Sequence, residues 1–192
     1  MYKRNTFGHW EADTVVSGKI NNYTLKSKYY FVSLAERMIR LYLVKLIPNR
    51  KEETVINAII ELLKDLPKGA VKTITCDRGK EFAGLKRIEE ELNTKMYFAD
   101  PYCAWQKGTN EHSNGLLREF YPKHMDLSKK NEKEVQGALE LLYMHEFFYY
   151  NGKYAAAIAT MSAGSMLATL TLLSKTKFMP MQAIKTEPTS ER

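Results

Sequence analysis

The sequence predicts an α/β fold, and three observations carry that prediction. Three runs rich in β-branched and aromatic residues stand between Trp10 and Ile47, a long amphipathic helix pattern follows, and short strand-like and helix-like segments alternate from Val71 onward. The first strand covers about 10–17, and Ser17-Gly18-Lys-Ile-Asn21-Asn22 behind it has turn composition. Two more strands, 29–34 and 38–47, flank Ala35-Glu36-Arg37, which is short enough for a hairpin connection, so the first three strands form an antiparallel meander. A helix over 51–66 follows. Val55, Ile59, Leu62, Leu63 and Leu66 give it one apolar face, and Pro67-Lys-Gly69 stops it.

The run 71–76 is short, β-branched and ended by Asp77-Arg-Gly79, the pattern of a strand opening into a loop. A helix over 85–92 with Ile88 on its apolar stripe and a short strand over 95–99 come next. The last segment of this series, Gly108-Thr-Asn-Glu111-His-Ser-Asn114-Gly115-Leu-Leu-Arg118-Glu-Phe120, reads as a helix. Ser113, Leu116, Leu117 and Phe120 follow the i, i+3, i+4, i+7 spacing of a buried side, which leaves Glu111, Asn114, Gly115 and Arg118 on the other. That second side combines a carboxylate for a metal, a glycine that permits close approach and an arginine able to grip phosphate.

Composition bounds the function classes without choosing among them. With 192 residues, 44% of them hydrophobic, the chain is enough for one domain with a sizeable core, and its net charge of +7 suits a polyanionic partner. Charge alone favours the plainer reading, a solvated lysine surface. Cys76 and Cys103 are too few and too far apart for a disulfide framework or a zinc site, so a reducing cytoplasm is the expected compartment. The basic start, 1–7, has no apolar segment behind it and reads as no signal peptide. His9 and His112 have no partner at ligand spacing and read as structural or solvent-exposed.

Three acids stand where chemistry is expected. Asp13 lies in the first strand, Asp77 at the end of the 71–76 strand, where open α/β sheets gather their ligands, and Glu111 on the helix described above. Acids are common in this chain, at 22 of 192 residues, so the triple by itself is weak evidence and the words around it carry the weight. Gly8-His-Trp-Glu-Ala-Asp13, Asp77-Arg-Gly-Lys-Glu-Phe82, and Tyr97-Phe-Ala-Asp-Pro-Tyr-Cys-Ala-Trp105-Gln-Lys-Gly-Thr-Asn-Glu111 followed by Asn114-Gly-Leu-Leu-Arg118 resemble the catalytic core of bacterial insertion-sequence transposases, within the retroviral-integrase superfamily. The resemblance runs from about Gly8 to Ser128.

That resemblance implies a ribonuclease H-like fold, a mixed five-stranded sheet flanked by helices. It implies that Asp13, Asp77 and Glu111 are the metal-binding Asp, Asp and Glu, with 33 residues between the last two. Two Mg²⁺ ions, for which Mn²⁺ can substitute, would clamp the attacking and leaving oxygens of a phosphodiester, so no covalent nucleophile is needed. The implied activity is DNA transposition by cleavage and strand transfer. Two other readings stay open: a catalytically silent transposase remnant that binds DNA or a transposase partner, and a nuclease of the ribonuclease H type.

Lys107, Asn114, Arg118, Trp105 and Gln106 are the candidate DNA contacts, the charged ones for phosphate and Trp105 for stacking on a base or packing as a lid. Glu11 shares a strand face with Asp13, which makes it either a supporting acid or a solvent-facing ion-pair partner. Expected partners are the element's ends and target DNA and, by resemblance, further copies of the chain, with no membrane and no small-molecule substrate. His112 stands where these transposases more often carry Asn.

The expected organisation is a catalytic core over 1–142, a divergent helical tail over 143–174 and a disordered end over 175–192. Family members carry a helix-turn-helix ahead of the core, whereas Gly8 opens the first matching word here, and their Asn-x-Arg-Pro segment is replaced after Leu142 by unrelated sequence. A truncated or frameshifted copy accounts for both. The uncharged stretch 155–173 is nineteen residues long, but its Ser, Thr and Gly content makes it a packed helix rather than a membrane span.

Overall fold

The computed structural model describes residues 6–18, 27–101 and 103–149. All of them belong to one compact unit, Met1–Asn151, and the expectations for 155–173 and 175–192 lie outside the described residues.

Three antiparallel strands come first: β1 (His9–Val16), β2 (Tyr30–Glu36) and β3 (Tyr42–Ile47). Helix α1 (Glu52–Leu63), strand β4 (Thr73–Cys76), helix α2 (Leu85–Leu92), strand β5 (Lys95–Phe98), helix α3 (Gly108–Phe120) and helix α4 (Glu132–Tyr149) complete the order. The sheet runs β3-β2-β1-β4-β5, with β4 parallel to β1 and β5 parallel to β4. It is the mixed five-stranded sheet with flanking helices that the resemblance implies, within the α/β class that the pattern predicts.

Strand β2 explains why no clean alternation marks the middle of this sheet. Six of its seven residues, Phe31 to Glu36, are buried, because helices cover both faces. Alternation still decides which face each residue takes. Glu11, Asp13 and Val15 pair with Ala35, Ser33 and Phe31 on the side under α3, while Trp10, Ala12 and Thr14 pair with Glu36, Leu34 and Val32 on the side of α1. On the α1 side Trp10 is fully buried and its Nε1–H donates to the Ala70 carbonyl at 2.9 Å, so this indole has both an apolar bed and a polar partner. Phe31 meets Tyr121, just beyond α3, at a ring separation of 5.0 Å and 58°.

At the β2–β3 connection and at the end of α1 the boundaries differ from the sequence pattern, each for a local reason. Strand β2 runs through Ala35 and Glu36, and β3 starts at Tyr42 rather than 38. The fully buried Glu36 carboxylate accepts the N–H groups of Met38 and Ile39, both at 2.8 Å, and so folds 37–40 into a turn, with Arg40 at φ 59°. Its other oxygen accepts from Gly8 at 2.9 Å and His9 at 3.3 Å, which ties the entrance of β1 to the end of β2. Helix α1 stops at Leu63, three residues short, because Pro67 disfavours helical backbone in the residue before it and the chain turns ahead of it.

Helix α4 has no counterpart in the sequence reading before residue 143. Its signals are nevertheless present. Asn131 Oδ1 accepts the Glu134 N–H at 2.9 Å as an N-cap, and Val135, Ala138, Leu139 and Leu142 form its buried stripe against β3 and α3. Among the described residues no helix is long and apolar enough to cross a membrane.

Candidate active site

The site is assembled by strand register. The β1–β4 ladder pairs His9 with Thr73, Trp10 with Ile74 and Glu11 with Thr75, so continuing it two residues sets Asp77 beside Asp13 on the same face. Helix α3 crosses that face and brings Glu111. Asp13, Asp77 and Glu111 all line one open cleft of about 640 Å³, together with Arg78, Asp100, Cys103, Lys107 and Asn114.

What holds α3 over β1 is a buried polar network. The Glu11 carboxylate is fully buried, accepts the Asn110 N–H at 2.8 Å and pairs with Arg37 at 3.1 Å. Asn110 donates its side-chain amide to the Glu11 carbonyl at 2.8 Å and accepts from Ser33 Oγ at 3.0 Å. A buried carboxylate at the first turn of a helix satisfies an otherwise orphaned N–H and favours the positive end of the helix dipole. Glu11 therefore fixes the turn that carries Glu111. Sequence reasoning left Glu11 between two roles and overlooked Asn110 and Ser33; the shared strand face of Glu11 and Asp13 was the available signal.

The buried side of α3 is Thr109, Asn110, Ser113 and Leu117, with Leu116 and Phe120 half-buried and Glu111 exposed. Asn114 and Arg118 lie along the flank between these sides. Asn114 Nδ2 donates to Asp13 Oδ2 at 3.0 Å, while its carbonyl oxygen accepts from Tyr42 Oη at 2.6 Å. Arg118 donates to the Val16 carbonyl at 2.6 Å and to the Tyr121 carbonyl at 3.4 Å, and burial pulls its guanidinium below its ordinary value. Gln106 closes a loop with Asp100, accepting the Asp100 N–H at 2.8 Å and donating to its carboxylate at 3.0 Å. Trp105 stands out at 71% exposed.

Lys107 occupies the position between the two aspartates. Its Nζ lies 2.8 Å from Asp77 Oδ2 and 3.6 Å from Asp13 Oδ1, and the residue is buried. Among the described residues no three His, Cys, Asp or Glu groups stand close enough together to form a ready-made metal centre. The donor chemistry fits a hard divalent ion all the same. Three carboxylates on separate elements offer oxygen ligands, and a cation already sits against two of them. Cys76 offers no competing ligand or nucleophile: burial pushes its thiol up to about 12.

Asp13 is raised above the ordinary carboxylate value, chiefly by burial, with Asp77 adding to the rise and Lys107 and the Thr14 N–H opposing it. A group whose folded-state pKa is raised contributes stability that is complete below the unfolded value and is lost as pH rises through the folded value. The melting temperature of an Asp13→Asn variant should therefore gain on that of the parent as pH rises from acid to neutral without divalent metal. A gap that stays constant or closes over that range contradicts this electrostatic account.

Behind Asp77 the loop is packed tightly. The buried Glu81 pairs with Arg50 at 2.9 Å and accepts from Thr14 Oγ1 at 3.2 Å. A Cβ on Gly79 would meet that carboxylate at 2.5 Å, so a larger residue in Asp77-Arg-Gly79 would have to push aside the side chain that Arg50 and Thr14 hold.

Comparison with known proteins places this geometry in context. The chain is 39% identical over 133 residues to a Streptococcus salivarius protein named "Probable transposase for insertion-like sequence element IS1161", covering 69% of this chain and 36% of that protein. It is 33% identical over 132 residues to the Escherichia coli K12 transposase InsI of the insertion sequence element IS30A, covering 69% of this chain and 32% of that one. The chain thus spans about a third of the length of these curated relatives. No family model matches it. Among solved structures, a chain of the simian T-cell lymphotropic virus intasome in complex with PP2A regulatory subunit B56 gamma aligns with a TM-score of 0.53 at 18% identity, over 70% of this chain and 46% of that one. The HTLV-2 integrase catalytic core domain in complex with magnesium aligns with a TM-score of 0.50 at 18% identity, over 69% and 82%. Their shared architecture is the ribonuclease H-like fold.

Proposed function

We propose that this chain, which is similar to insertion-sequence transposases over some two thirds of its length, is a DNA transposition domain that cleaves and joins phosphodiester strands at the Asp13–Asp77–Glu111 cleft with divalent metal. The observation that carries this reading is the register that sets Asp77 beside Asp13, with α3 bringing Glu111 into the same cleft. Bound Mg²⁺ or Mn²⁺ would supply charge neutralisation at the attacking and leaving oxygens.

The protein's own groups then have separate tasks. Asp13 presents its oxygens from β1 and Asp77 from the loop that follows β4, and Asn114 holds the Asp13 carboxylate in one orientation by donating to Oδ2. Glu111, exposed on α3, is free to close on the pair. Trp105 projects beside the cleft as a face for an unpaired base, and Lys107 is a phosphate contact. Asn114, Arg118 and Gln106 are engaged with Asp13 and Tyr42, with Val16 and Tyr121, and with Asp100, so in this reading they act on DNA by holding α3 and its preceding loop in place.

A second reading has one observation in its favour. Lys107 lies between Asp13 and Asp77, which suits a domain that binds DNA, or another transposase chain, without cutting. Supercoiled plasmid incubated with the protein and Mg²⁺ or Mn²⁺ separates the two. Nicking that requires metal and disappears in Asp77→Asn supports the enzyme, whereas binding without nicking supports the silent domain. Nicking that survives Asp77→Asn removes the cleft from the mechanism. Preference for an RNA:DNA hybrid over duplex DNA would redirect the assignment to a ribonuclease H-type nuclease.

A further inference from the structure

We propose that Lys107 is a place-holding cation, which neutralises the Asp13–Asp77 pair until a divalent ion displaces it, and which is then released toward the nucleic-acid strand. The proposal rests on the metal-binding reading of the cleft and adds a role for one residue that this reading does not require.

The geometry points to it directly. Continuing the ladder brings two carboxylates side by side on one sheet face, an arrangement that repels unless a positive charge stands between them. Lys107 Nζ provides that charge, at 2.8 Å from Asp77 Oδ2 and 3.6 Å from Asp13 Oδ1. Its side chain is 11% exposed, so the ammonium is withdrawn into the cleft rather than displayed on the surface. The Asp13 carboxylate is held in place by further donors. Asp13 Oδ2 receives Asn114, and Asp13 Oδ1 also receives the Thr14 N–H at 2.8 Å.

A divalent ion coordinated by Asp13 and Asp77 would take the oxygens that Lys107 now faces, at a separation where an ammonium and a doubly charged ion repel strongly. The two cations therefore exclude each other. Lysine suits this exchange because it is a compact point charge on a flexible stem, able to leave by rotating its methylenes without moving the backbone. Its position, one helical turn before Glu111, keeps the released ammonium beside the cleft, where a phosphate would lie.

Two measurements test this. Calorimetric titration of Mn²⁺ into the metal-free protein should show Lys107→Met binding on the order of ten-fold more tightly than the parent, since a competing cation has been removed, with Lys107→Arg close to the parent. In the unmodified protein, the rate of amine acylation at Lys107, followed by mass spectrometry, should rise several-fold when Mg²⁺ is added. The second readout needs no variant to fold. Parent protein that binds Mn²⁺ while Lys107→Met binds it no better, or acylation of Lys107 that Mg²⁺ leaves unchanged or slows, overturns the exchange but leaves the metal site standing. No saturable Mn²⁺ binding by the parent, Lys107→Met or Lys107→Arg overturns the metal site and the exchange together.

Discussion

Replacing Glu111 by Gln should reduce metal-dependent cleavage of DNA on the order of 10³-fold, the scale on which removal of one charge-stabilising group from a phosphoryl or acyl transfer site is felt. The substitution keeps the side chain's size and removes only its charge. Glu111 is exposed on α3 and no buried contact depends on it, whereas the helix is held by Asn110, Ser113, Leu117 and the Glu11 carboxylate beneath. The melting temperature without metal should accordingly stay within a degree or two of the parent, about the change expected of an ordinary surface substitution. Activity lost together with stability would assign Glu111 a structural duty instead. Retained activity would take it out of the site.

Glu36→Ala is expected to have the largest effect on folding, about 3–5 kcal/mol, as for other losses of a buried charged hydrogen-bonding hub. Four backbone N–H groups, those of Gly8, His9, Met38 and Ile39, donate to this one carboxylate, and all of them lose it at once. A buried donor left alone costs about 1–3 kcal/mol, which applies in full to Gly8 and in part to the half-buried His9, Met38 and Ile39, so the sum is still a large deficit. The consequence reaches the site, because the same contacts fix the entrance of β1, the strand that carries Asp13. Glu36→Gln keeps the shape but turns an amide N–H₂ toward two backbone donors, and should fall between parent and Ala. Urea denaturation measures all three. A cost below about 1 kcal/mol for Glu36→Ala would mean that the 37–40 turn and the β1 entrance are held by something else.

How much of this was legible in the sequence depends on how local each cause is. Asp77 could be read because a β-branched run stopped by Asp-Arg-Gly is a local signal, and Helix α2 was visible from its own apolar stripe around Ile88. The placing of Asp13 beside Asp77 is not local: it follows from a parallel ladder between segments some sixty residues apart, which no periodicity reports. Glu36 looked like part of a short connection, since nothing in the sequence shows that four N–H groups from two chain segments will converge on it. The beginning of α4 was legible but unread, in the Asn131 cap and the Val135, Ala138, Leu139, Leu142 stripe.

Side chains on the working side of α3 show the same limit. Spacing alone separated Glu111, Asn114 and Arg118 from the apolar stripe, and the structure leaves Glu111 exposed and the other two half-buried on the flank. It could not foresee that Asn114 would be drawn onto Asp13 and Arg118 onto the Val16 carbonyl, because those partners belong to β1. Lys107 is the sharpest example. In the sequence it is a candidate phosphate contact, and only the folded cleft reveals two carboxylates around its ammonium.

The most direct measurement of the central claim is anomalous diffraction from a crystal of the protein soaked in Mn²⁺. The account predicts manganese against the carboxylates of Asp13 and Asp77, with Glu111 drawn toward it and Lys107 turned away. Manganese bound only elsewhere, or an empty cleft with Lys107 still lying between the two aspartates at saturating metal, would contradict it.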